Sequence, residues 1–165
     1  MFSLFNNKNT IITFLSVSLL ILIIQVNLPS IIIFGGNKIN LDLFLVFLTF
    51  LIFFEIEIYK LIILAFIYGL IQDTIINIDQ IGLLSFIKSF TVYLLSYILK
   101  YQTIWKWQIK LLYIFLIYFV HFFIYYIIIY HDIYMYVLIA GIFQAVLCIL
   151  IFIILNKLLF NSKMN

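Results

Sequence analysis

Asp73 and Lys88 are the residues of this 165-residue chain best placed to do chemistry, because each lies inside a long apolar run. Ionised groups in such runs are costly and by default mark function. Asp73 stands about one turn before the end of its run, with Gly69 four residues earlier on the same helical face. In the next run Gly82, Ser85, Ser89, Tyr93 and Ser96 recur at helical spacing, with Lys88 on the border of the stripe. Small and hydroxyl side chains let helices approach closely and bond across the gap, so this stripe is expected to face protein. A short polar turn at 77–80 makes the two runs antiparallel neighbours and sets position 69 level with position 88. Lys88 then has to snorkel only ~6 Å to reach Asp73, with Gly69 leaving room for its stem. Two readings stand side by side: an Asp73–Lys88 pair, or Asp73 solvated at the interface with Lys88 reaching up to water.

The other reactive residue types are dispersed. His121 is mid-run, flanked on one face by Tyr118 and Tyr125, a setting in which a histidine is more often hydrogen-bonded within a bundle than a proton carrier. Gly141, Gln144 and Cys148 share a face with Ala145 nearby, a pattern of close helix packing. His131 and Asp132 form a connection between runs. Two histidines and one cysteine in separate segments make no metal set, and one cysteine excludes an intramolecular disulfide. There is no nucleophile–base pair and no glycine-rich phosphate loop. The residues therefore point to no enzyme, no catalytic group, no metal and no cofactor.

The elements that must position these residues are membrane helices. Hydrophobic residues make up 68% and charged residues 9%, against ~45–50% and ~25% in soluble domains. The apolar runs are continuous, whereas strands of a membrane barrel alternate over ~10 residues. A span needs ~20 apolar residues, with a range of ~17–25. The runs give six: about 11–26, 41–54, 61–76, 81–99, 111–130 and 133–155, in one transmembrane domain covering 1–165. The first carries Lys8 ahead of it like a secretory signal but lacks a small-residue cleavage site, so it reads as a retained span. Gly35, Gly36, Asn37 and Lys38 form the turn before the second run, which ends at Glu55 and Glu57.

Orientation follows from lysine placement, since the chain has no arginine. Six spans put Lys8, Lys60, Lys100, Lys106, Lys110, Lys157 and Lys163 on one side and only Lys38 on the other. That bias predicts cytoplasmic termini, and Trp105 and Trp107 among the lysines of 100–110 fit an interfacial belt. So sparse a basic set is no nucleic-acid patch. A docking site for a cytoplasmic partner in the 100–110 loop is the sharper alternative to plain anchoring.

The stretch FIYGLIQDTIINIDQIGLLSFIKSFTVYLLSYILKYQ resembles the rod shape-determining protein MreD family. That family shows Gly-Leu-x-x-Asp, a short polar turn, Leu-Gly and a span ending rich in tyrosine; Gly69, Leu70, Asp73, Ile81 and Gly82 fit in order. IIQVNLP closing the first span and NLDLFLVFLTF opening the second agree more loosely. Asn77 stands where a glycine is common, and Leu41 and Ala145 where prolines often stand. The resemblance implies a non-enzymatic scaffold subunit of the cell-elongation and peptidoglycan-synthesis machinery, multi-pass in the bacterial inner membrane. Membrane lipids, an MreC-like bitopic protein, an MreB-like filament and a RodA–transpeptidase complex are the implied partners, with no nucleic acid among them. Gly69, Asp73, Gly82 and Lys88 are the implied packing and partner residues. The family is also similar in fold to the substrate-binding subunits of energy-coupling-factor transporters, which supplies the alternative function of a small-molecule-binding transporter subunit.

Overall fold

Long runs of Ile, Leu and Phe with few breakers fold as helices, and the breakers set where they stop. The computed structural model describes residues 8–29, 31–32, 38–39, 41–54, 56–76, 78–130 and 134–159. Helix α1 is Lys8–Asn27, ending just before Pro29, which cannot continue it. A two-residue antiparallel ladder follows, β1 (Ile31–Ile32) on β2 (Lys38–Ile39), with Ile31 opposite Ile39. Then come α2 (Leu43–Phe53), α3 (Ile58–Ile76), a 3₁₀ turn at Ile78–Gln80, α4 (Leu83–Leu95), α5 (Tyr97–Lys100), α6 (Trp107–Ile129) and α7 (Tyr134–Leu159). The turn at 35–37, Glu55, Asn77, His131, Asp132 and Lys163 lie outside the described residues.

Among the described residues four segments are long and apolar enough to cross a membrane: Ile58–Ile75, Leu83–Lys100, Trp107–Ile129 and Met135–Leu158. Two shorter apolar helical stretches, Ser16–Asn27 and Leu43–Phe53, join them. The fourth predicted run is divided between α4 and α5 at Ser96, whose hydroxyl donates to the Tyr93 carbonyl (2.6 Å).

The bundle has an apolar core like a soluble protein's but also an apolar surface, with polar groups buried among the core residues. Ser18, Gln25, Asp42, Thr49, Gln72, Asp73, Ser85, Lys88, Thr91, His121 and Gln144 are buried, whereas Ile63, Phe66, Phe86, Leu112, Met135 and Ile154 are exposed. Lipid removes the penalty on exposed apolar side chains and leaves the polar groups to find partners inside. The helices α3 with α4 and α6 with α7 form two closely packed hairpins, α4 and α6 join the hairpins, and α2 contacts α1, α3, α4 and α7.

Hydroxyl and amide pairs tie these contacts together. Ser18 meets Tyr68 at 2.6 Å between α1 and α3, and Thr49 meets Tyr118 at 2.6 Å between α2 and α6. Tyr126 donates to Gln144 between α6 and α7. A Cβ added at Gly141 of α7 would meet Phe119 and Phe123 of α6 at ordinary contact distance. Gln144, Ala145 and Cys148 on the same side of α7 are buried.

Candidate functional site

Asp42 ends the link into α2, and its carboxylate Oδ1 accepts from the Leu45 N–H (3.0 Å), capping the helix in the usual way for an acidic residue at that place. The preceding donor, Phe44 N–H, goes to Gln25 Oε1 of α1 at 2.9 Å. Capping leaves the rest of the Asp42 carboxylate facing α4, five residues below whose first residue, or about 8 Å at ~1.5 Å per residue, stands Lys88. Lys88 Nζ lies 2.9 Å from Asp42 Oδ1 and 2.8 Å from Oδ2, and the amine also donates to Gln72 Oε1 of α3. The amine sits 5.3 Å from the centre of the Phe44 ring, and that ring stacks on Tyr68. Lys88 is 0% exposed.

On the far side of Asp42, His121 of α6 brings Nε2 to 3.8 Å from Oδ2, while Nδ1 meets Thr91 Oγ1 at 2.8 Å. Thr91 Oγ1 also lies 2.7 Å from the Ile87 carbonyl, and a hydroxyl hydrogen directed there favours the tautomer in which Nδ1–H donates to Thr91 and Nε2 is the open nitrogen. Cys148 Sγ of α7 is 4.0 Å from the Asp42 carbonyl oxygen. Asp42 is thus a hub on which α1, α2, α3, α4, α6 and α7 converge at one level of the bundle.

Asp73 belongs to a different device. Its carboxylate accepts from Gly82 N–H (3.0 Å), Leu84 N–H (3.1 Å) and Ser85 N–H (3.4 Å), so a side chain of α3 caps the start of α4. Gly82 has φ +101°, a left-handed conformation that turns the chain into α4. Gly69 lies one turn below Asp73, and a Cβ there would come within 2.4 Å of Ser85 Cα. The missing side chain is what lets α3 and α4 touch backbone to backbone.

The pairing of Asp73 with Lys88 is therefore corrected. Lys88 is bound to Asp42 and Gln72, and Asp73 to backbone N–H groups. The reason is the vertical offset of the hairpin. Capping draws the start of α4 down to the level of Asp73 while α3 runs on to Ile76, so Gly69 faces Ser85 and not Lys88. The inward stripe of α4 is corrected in part. Ser85 and Ser96 are buried and Ser89 donates to the Ile62 carbonyl of α3 (3.5 Å), as a protein-facing stripe requires, but Tyr93 falls outside it. The buried residues of α4 are Leu84, Ser85, Ile87, Lys88, Thr91, Val92 and Leu95, and Tyr93 is 48% exposed. Lys88 is at the centre of that face, not on its border.

Reading the residues missed Asp42, Gln72, Thr91 and Gln25. Asp42 had a signal: an acidic residue immediately before an apolar run is a helix-start residue, and a buried lysine requires a carboxylate. Gln25, Gln72 and Thr91 carried none beyond being polar. No protein family, curated protein or solved structure matches the chain.

Proposed function

We propose that this chain is a non-enzymatic scaffold subunit of the bacterial cell-elongation machinery, crossing the inner membrane six times with both termini cytoplasmic. The observation that carries this reading is the shared role of the three residues on which its likeness to the shape-determining family rests. Gly69 opens the backbone approach, Asp73 caps the opposite helix and Gly82 makes the left-handed turn. A motif scattered over fourteen positions is one structural device for fixing a helical hairpin.

The orientation is supported by Lys60, Lys100, Lys106, Lys110 and Lys157, which stand where antiparallel helices bring their ends together at one end of the bundle. Polar side chains engaged with one another leave apolar outer faces for other membrane helices, which in lipid associate by close packing and a few hydrogen bonds. Depletion in a rod-shaped host is expected to round the cells and to lose the MreC-like partner from the recovered complex. Normal shape on depletion, together with stoichiometric binding of a vitamin or metal by the purified protein, overturns the scaffold reading in favour of a transporter subunit.

A further inference from the structure

Asp42 has cationic partners available on two different helices, one engaged and one held back. Lys88 of α4 is bound at 2.8 Å, while His121 of α6 is 1% exposed with Nε2 3.8 Å from the same carboxylate oxygen. Among the described residues Nε2 has no hydrogen-bond partner. A buried nitrogen lone pair set beside a carboxylate is unfavourable, and a proton on that nitrogen converts the contact into a charge-assisted hydrogen bond.

We propose that Asp42 is an exchangeable counter-ion and that His121 Nε2 is the proton-binding site that takes it over when Lys88 withdraws. The charged and titratable groups around the contact are Asp42 of α2, Lys88 of α4, Tyr118 on α6 itself and Cys148 of α7, with Asp73 of α3 beside Gln72. Tyr118 is held by Thr49 and Cys148 faces the Asp42 carbonyl, so neither supplies a cation. With Lys88 on Asp42 and the Asp73 carboxylate held by backbone N–H groups, a proton on His121 has no carboxylate of its own to pair with and is disfavoured. Asp73 offers the lysine a second carboxylate about 8 Å higher along α4, within reach of a snorkelling side chain. Lys88 on Asp73 with a protonated His121 on Asp42 gives two carboxylates and two cations, fully balanced. The proton would thereby hand α2 from α4 to α6 without leaving a charge unpaired in the membrane.

The test is ¹⁵N NMR of the imidazole through a pH titration, on full-length protein in lipid nanodiscs carrying His131→Gln so that one histidine remains. With Lys88 present the ring is expected to stay in the neutral Nδ1–H form at neutral pH. Lys88→Met should raise the proton affinity of His121 at least tenfold, with the new proton on Nε2. An unchanged titration in Lys88→Met overturns the proposal. Should that variant fail to fold at neutral pH, preparation at about pH 5 must recover it, because the imidazolium's contribution is present at low pH and lost as pH rises. Adding His121→Phe must abolish the recovery. Failure of Lys88→Met at both pH values, or recovery that survives His121→Phe, also overturns it.

Discussion

Asp42 and Asp73 are both buried carboxylates placed at helix starts, and they hold different things. Asp73 gives its oxygens to peptide N–H groups of the neighbouring helix, so one hairpin is closed by a cap that crosses between helices. Asp42 caps its own helix with one bond and keeps the remaining capacity for a lysine from another. Position relative to the α4 start decides between the roles. A carboxylate level with the first turn meets free donors there. One lying about five residues lower meets a completed helix, and only a side chain can answer it.

The contrast predicts unequal damage. Lys88→Met should be most severe at neutral pH, where Asp42 loses its cation before His121 is protonated; breaking a buried pair costs ~3–5 kcal/mol. It should appear as loss of accumulation or a large fall in thermal midpoint in detergent. Gly69→Ala comes next, at up to about 3 kcal/mol, because the added methyl meets the Ser85 backbone, which cannot rotate away, at 2.4 Å. Asp73→Ala removes a cap and should cost about 2 kcal/mol, near the top of the N-cap range, since three N–H groups lose their acceptor; Asp73→Asn should retain part of it. Gly82→Ala is the mildest, at about 1 kcal/mol for a left-handed residue with open space around its Cβ position. Thermal unfolding of the four variants checks the order. Equal effects at Lys88 and Gly82 would erase the distinction between the two regions.

The helical runs and their approximate limits were legible because continuous apolar stretches punctuated by Pro29 and Gly82 admit few other structures. Gly69, Asp73 and Gly82 were legible as a group because helical spacing places the first two on one face of one helix. The partner of Lys88 was not. It depends on the offset between α3 and α4, and a three-residue error in that offset, nearly one turn, exchanges one carboxylate for another. Asp42 lies 46 positions from Lys88, across two helices whose relative height no local pattern records. Tyr93 was misplaced for a related reason. Four-residue steps drift around a helix of 3.6 residues per turn, so a stripe read by hydroxyl chemistry left the buried face that packing chose.

The identity of the lysine's counter-ion is tested most directly by two double-mutant cycles measured by thermal unfolding in the same detergent. Asp42→Asn combined with Lys88→Gln should be milder than the summed single effects, with a coupling of about 2 kcal/mol expected of contacting residues. Asp73→Asn combined with Lys88→Gln should add to within ~0.5 kcal/mol, as for groups that share no bond. Strong coupling in the Asp73 cycle with additivity in the Asp42 cycle would contradict the account.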